Sequence, residues 1–168
     1  DTVVQKLDKI PMDNRDTKGD LYEYLLSKLS TAGKNGQFRT PRHIINMMVD
    51  LMSPKVEDII FDPACGSAGF LISANEFLRE NHPEIFNDSK LKDHFNNHMF
   101  FGNDFDSTML RIGAMNMMLH GIENPNIFGQ DSLSEGFTEK EMCTLILANP
   151  PFKGSLDQDV VAADLLRM

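Results

Sequence analysis

Asp58-Ile59-Ile60-Phe61-Asp62-Pro63-Ala64-Cys65-Gly66-Ser67-Ala68-Gly69-Phe70 is the stretch that decides the fold. A short apolar run ends on a carboxylate, passes a turn holding one proline and two glycines, and resumes with Phe70, Ala74, Phe77 and Leu78 at helical spacing. Strand, glycine turn and helix in that order form the ligand-binding corner of a doubly wound α/β sheet. The glycines follow G-x-x-G and fall short of the full G-x-G-x-x-G fingerprint. Two readings stay open from this stretch alone: a ligand-binding turn, or glycines that only permit a tight strand-to-helix connection.

The same rhythm continues downstream. Met99 to Asn103 reads as a second strand closing on Asp104, and Ile127-Phe128 as a third, followed by Gly129-Gln130-Asp131. Thr144 to Leu147, inside an apolar run from Cys143 to Ala148, reads as a fourth, covered strand that runs into Asn149-Pro150-Pro151-Phe152. Between them, Asp106 or Ser107 caps a helix with Leu110, Ala114, Met117 and Met118 on its apolar face, stopped at His120-Gly121. Residues 81–98 are polar and read as a loop or short surface helix, and residues 158–168 as helical. The informative residues Asp62, Asp104, Asp131 and Asn149 all fall at carboxyl ends of strands, the ligand edge of an open α/β sheet. Asp104 is placed to accept from ribose hydroxyls. Asp131 is either a turn former or an acceptor for an adenine amino group. About 35 residues separate Gly69 from Asp104, against roughly 20 in a nicotinamide fold, which disfavours a simple dehydrogenase.

Upstream, residues 1–17 are polar and broken by Pro11, as in a linker. Leu21, Tyr24, Leu25 and Leu29 then mark a helix, and Thr31 to Gly36 a glycine-bearing loop. In Gln37-Phe38-Arg39-Thr40-Pro41-Arg42, Thr40 and Pro41 suit the N-cap and first turn of a helix with Ile44, Met47, Met48 and Leu51 on one face. That helix start could bind a carboxylate or phosphate, or simply be capped. His120 has no catalytic partner in the sequence and reads as structural.

The chain of 168 residues, 41% hydrophobic and 24% charged, is long enough for one domain with a real core. No apolar run approaches the roughly 20 residues that span a bilayer. Cys65 and Cys143 show no metal-ligand spacing, and a cytoplasmic setting is expected. Sixteen basic against 25 acidic residues give a net charge of -9, which argues against strong nucleic-acid binding by this stretch alone. The 11 methionines read as core filler.

Taken together, D-P-A-C-G-S-A-G-F (Asp62 to Phe70), N-P-P-F (Asn149 to Phe152) and G-Q-F-R-T-P (Gly36 to Pro41) resemble the gamma group of adenine-specific, S-adenosylmethionine-dependent DNA methyltransferases. The loop A-G-K-N-G-Q-F-R-T-P-R and the run L-H-G-I (Leu119 to Ile122) sharpen this to the modification subunit of a type I restriction–modification system. Arg39 stands where that family carries an aromatic or other apolar residue. The resemblance implies a Rossmann-like α/β sheet with helices on both faces, truncated after the fourth strand. Residues 1–35 would be a linker and helix from a missing helical domain, and residues 36–168 the first part of the catalytic domain.

It also implies roles. S-adenosylmethionine would be held by Asp62, Ala64, Cys65, Gly66 and Ser67 at its methionine end, by Asp104 at the ribose and by Asp131 at the adenine, with Gln37, Phe38, Arg39, Thr40, Pro41 and Arg42 closing over it. Asn149 and the Pro150 carbonyl would accept hydrogens from the target amine, with Pro151 stiffening the rim. Phe152 would stack on an adenine flipped out of double-stranded DNA. The implied partners are a specificity subunit shared by two modification subunits, and a restriction subunit. Two other readings stand beside this one: a methyltransferase for another planar amine (RNA guanine or protein glutamine), and a non-catalytic cofactor-binding assembly module.

Overall fold

The computed structural model describes residues 15–32, 40–134 and 142–150. Its elements are α1 (Arg15–Ala32), α2 (Arg42–Met52), β1 (Ile60–Asp62), α3 (Gly69–Asn81), a 3-10 turn (Pro83–Phe86), α4 (Ser89–Asn97), β2 (Phe100–Asn103), α5 (Ser107–Leu119), β3 (Asn126–Phe128) and β4 (Leu145–Ile146). The strands form one parallel sheet in the order β3-β2-β1-β4. From β1 the chain steps outward to β2 and β3, then returns to pair β4 with the other side of β1. The carboxyl ends of β1 and β4 therefore flank the point where strand order reverses, and a crevice opens there in sheets of this kind.

A row of buried residues runs across the sheet, with Ile60 opposite Phe100 on one side and Leu145 on the other. Phe95 of α4 meets Phe100 edge-on at 5.2 Å. Gly102 lies beneath the turn: a Cβ there would come 2.9 Å from Cys65 Sγ and 3.2 Å from Leu71 Cδ1. Removing the side chain at Gly102 lets the glycine turn and α3 settle onto β2.

Three helices depart in detail from the sequence expectation. In α2 the buried residues are Ile45 and Val49, while Met47 and Leu51 of the expected face are 50% and 77% exposed. Apolar residues form a broad arc of α2 opposite Arg42, His43, Asn46 and Asp50, and packing against α3 buries the Ile45–Val49 side of that arc and leaves the Met47–Leu51 side exposed. The polar segment 81–98 is anchored and helical. Asp88 caps α4 by accepting from the Lys90 and Leu91 amides at 2.7 and 3.1 Å, and Ile85 and Phe95 are completely buried. In α5, Asp106 is the cap, accepting from the Thr108 and Met109 amides. Gly113, Asn116 and Met117 are buried there, whereas Met118 is exposed. The α5 stop is as expected: Gly121 has φ 84°, its amide donates to the Met118 carbonyl, and the Ile122 amide donates to that of Met117. The expected covered strand, β4, buries Leu145 and leaves Ile146 58% exposed, with the following Leu147 buried.

Candidate active site

The turn after β1 is held from inside. The amide of Ala64 donates to Asp62 Oδ1 (3.1 Å), that of Cys65 to the Asn103 carbonyl (2.8 Å), that of Gly66 to Asp104 Oδ2 (2.8 Å) and that of Ala68 to the Cys65 carbonyl (2.7 Å). An anion-binding loop would leave such amides pointing outward. Gly66 has φ 52°, and a Cβ added to it would meet nothing within 4 Å, so its backbone borders open space. From below, α5 approaches so closely that a Cβ on Gly113 would lie 2.8 Å from the Gly66 carbonyl oxygen. Asn116 Nδ2 donates to the Ser67 carbonyl at 2.9 Å and to Glu23 of α1 at 3.3 Å.

Fully buried Asn103 ties the strand ends together. Its Nδ2 donates to the Gln130 carbonyl (3.0 Å) and to the Ser132 hydroxyl, and its Oδ1 accepts from the Gln130 amide (3.1 Å). Ser132 passes the connection on by donating to the Pro63 carbonyl at 2.6 Å. Asp104 sits on this platform, its Oδ1 accepting from the Asp106 amide at 2.8 Å. Asp131 is exposed and forms a turn, its Oδ1 accepting from the Leu133 amide at 3.0 Å. Asn103, Ser132, Asn116 and Phe105 are the residues that sequence reasoning did not single out. Phe105, 84% exposed directly after Asp104, was detectable as an aromatic inside the polar run N-D-F-D.

On the other side of the strand reversal, half-buried Asn149 follows β4, and its Nδ2 donates to the Thr40 hydroxyl at 2.8 Å. Thr40 does not cap α2: Pro41 stands at the N-cap position, with no side-chain cap. Pro150 is exposed. Arg42 turns to the helices, with Nη1 on Glu23 at 2.7 Å and Nη2 on both oxygens of Glu76 at 2.6 and 2.7 Å. Burial works against its charge, but Glu23 and Glu76 outweigh burial and raise its pKa. His120 is buried, its Nδ1 bonded to the Asn116 carbonyl, in keeping with a structural role. Gln37, Phe38, Arg39, Pro151 and Phe152 lie outside the described residues.

Electrostatically the corner is acidic. Burial, reinforced by the charge of Asp104 and opposed by the Ala64 amide, pushes the Asp62 carboxyl up to about 7. Burial first, then Asp62 and Asp104, push the Cys65 thiol well above its ordinary range, so it is no nucleophile. Among the described residues no basic side chain pairs with Asp62 or Asp104. No group of three or more His, Cys, Asp or Glu side chains among the described residues could hold a metal. No described helix is long and apolar enough to cross a membrane. Two carboxylates beside committed amides suit a cationic ligand with amine and hydroxyl donors, and oppose a phosphate.

A parallel α/β sheet with an acidic, glycine-turned corner on one side of its strand reversal and Asn149 on the other has the layout of a doubly wound fold with its ligand edge at the switch point. Residues 13–166 match the family described as N-6 DNA Methylase, and the chain belongs to that family. It is 32% identical over 163 residues to the type I restriction enzyme EcoEI methylase subunit of Escherichia coli, covering 94% of this chain and 32% of that one. It is 35% identical over 143 residues to the type I restriction enzyme MjaIX methylase subunit of Methanocaldococcus jannaschii, covering 84% and 24%. The crystal structure of a modification subunit of a putative type I restriction enzyme from Vibrio vulnificus superposes with a TM-score of 0.76 at 31% identity, covering 94% and 33%. The chain thus spans about a third or less of the length of these relatives.

Proposed function

We propose that the protein containing this chain transfers a methyl group from S-adenosylmethionine to the exocyclic amine of adenine in DNA, as the modification subunit of a type I restriction–modification enzyme. The observation that carries the reading is the pairing of Asn149 with Thr40 across the sheet's switch point from the acidic turn Asp62–Gly66. A cationic cofactor and a planar amine would then meet at one edge.

S-adenosylmethionine, when bound, supplies an electrophilic methyl on a positively charged sulfur. Asp62, with the turn carbonyls, is assigned its ammonium end, and Asp104 its ribose hydroxyls. Exposed Phe105 is assigned a face of its adenine, with Asp131 near the amino group. Thr40 lines the same crevice, while Arg42 braces α2 from behind. The target amine is a poor nucleophile because its lone pair is delocalised into the ring. Asn149 Oδ1 and the Pro150 carbonyl accept its two hydrogens and favour a pyramidal nitrogen whose lone pair is free for in-line attack, an effect of position and electrostatics. Phe152 is assigned the stacking surface for a flipped base.

The net charge of -9 fits a division of labour in which a specificity subunit, bound by two modification subunits, reads the DNA. A restriction subunit completes the proposed cytoplasmic assembly. Calorimetry on the full-length protein should show binding of S-adenosylmethionine and none of NAD, and the whole assembly should methylate adenine in DNA. Preference for NAD, or undiminished transfer after Asn149→Ala, would end this reading.

A further inference from the structure

The glycine turn ends on a residue in a conformation that its side chain disfavours. Ala68, immediately before α3, has φ 64° and ψ 29°, in the left-handed region where a Cβ crowds the backbone. Such a conformation persists where its surroundings hold it. Here they act on one peptide unit, the one that joins Ser67 to Ala68. Its amide donates to the Cys65 carbonyl at 2.7 Å, and its carbonyl accepts from Asn116 Nδ2 at 2.9 Å. The N–H and C=O of a trans peptide point in opposite directions, so this unit is pinned from both sides. Turning it over would move the Ala68 φ by about a half-turn into the ordinary negative region and release the strain. It would also exchange a C=O for an N–H on each face of the turn, changing what the turn offers a ligand.

From the Asn116 bond and the Ala68 backbone we infer that Asn116 is a positioning residue for the cofactor, holding the Ser67–Ala68 peptide in the orientation that the turn uses and that Ala68 disfavours. The inference rests on the reading of Asp62 to Ser67 as the holder of the methionine end of S-adenosylmethionine. Which end of the Asn116 amide faces the turn is set by its partners. Ser67 presents a carbonyl, which can only accept, and Glu23 presents a carboxylate that is paired with Arg42 at 2.7 Å. Both call for the NH2 end. Asn116 is completely buried and lies three residues on from Gly113, where a Cβ would come 2.8 Å from the Gly66 carbonyl oxygen. Helix α5 therefore receives two successive carbonyls of the turn. Gly113 leaves room for the first, and Asn116 donates to the second.

The test is calorimetry of S-adenosylmethionine binding to the full-length protein. The parent comes first: if it does not bind, the cofactor reading falls and this inference with it. Against a binding parent, Asn116→Ala removes the donor and leaves room for solvent at the Ser67 carbonyl, and it should weaken affinity by about 10-fold. Asn116→Leu serves in its place if that variant does not fold. Ala68→Gly alone should change affinity by no more than about 3-fold, because glycine adopts a left-handed φ without strain. The decisive protein carries both substitutions. With no strain left to release, Ala68→Gly in the Asn116→Ala background should recover affinity by about 3- to 5-fold. A loss caused by a cavity in α5, or by loosening of α1 at Glu23, would not respond to that second change. Unchanged affinity in Asn116→Ala, or a loss that Ala68→Gly does not recover, would overturn the positioning role and leave the cofactor reading in place.

Discussion

Replacing Asp62 with asparagine should make the cofactor-free protein more stable at alkaline pH and a worse enzyme. Burial raises the Asp62 carboxyl from 3.8 to about 7. Between those values the native protein holds a proton that the unfolded chain has released. Stability therefore falls as pH rises through that window and is flat above it. A shift of that size is worth at most about 4 kcal/mol, and local relaxation in the folded protein reduces it. Asparagine keeps the oxygen that accepts from the Ala64 amide and has no charge to bury. Urea unfolding of parent and Asp62→Asn proteins at matched pH isolates this group, since all others titrate in both. The variant should match the parent near pH 4 and exceed it by about 2 to 4 kcal/mol at pH 8.5. With S-adenosylmethionine present the order reverses. The parent's affinity should rise with pH through about 7 as Asp62 ionises to meet the ammonium, while the variant binds about 10- to 100-fold more weakly and without that pH dependence. An Asp62→Asn protein less stable than the parent at pH 8.5 without cofactor would refute the reasoning.

Other perturbations probe the rest of the site. Phe105→Ala should weaken cofactor binding by about 1 to 2 kcal/mol in calorimetry and leave the melting temperature unchanged, because the ring is 84% exposed. Asn103→Leu should cost about 1 to 3 kcal/mol in urea unfolding by removing the partner of the part-buried Gln130 amide and carbonyl. Gly113→Ala should press a methyl against the Gly66 carbonyl, costing about 1 to 3 kcal/mol and lowering cofactor affinity as the turn shifts. Breaking the Arg42 pairs by Arg42→Met should lower stability by about 1 kcal/mol, since the guanidinium is partly solvent-exposed, with cofactor affinity altered less than by Asp62→Asn.

What the sequence discloses follows from how locally each feature is encoded. Strand, turn and helix around Asp62–Gly69 are written in consecutive residues, and so are the caps at Asp106 and Gly121. The helix faces were harder. The apolar arc of α2 is wide, and only contact with α3 selects its Ile45–Val49 edge for burial. The buried stripe of α5 includes Gly113 and Asn116, which no hydrophobic count would choose. Asn103 and Ser132 matter through partners 27 and 69 residues away, and Thr40 through one 109 away. Such pairings have no local signature; polar residues at strand ends only mark where to look.

One tie described above bears on where this chain can be cut. Glu23 of α1 holds Arg42 and reaches Asn116, and Asn116 holds the carbonyl of Ser67 in the glycine turn. A version beginning at residue 36 would keep every residue assigned to cofactor or target. It would nevertheless remove one of the two carboxylates neutralising Arg42 and uncover the α5 surface on which α1 rests. Helix α1 is thus a strut beneath the turn, and a minimal cofactor-binding fragment must start ahead of it.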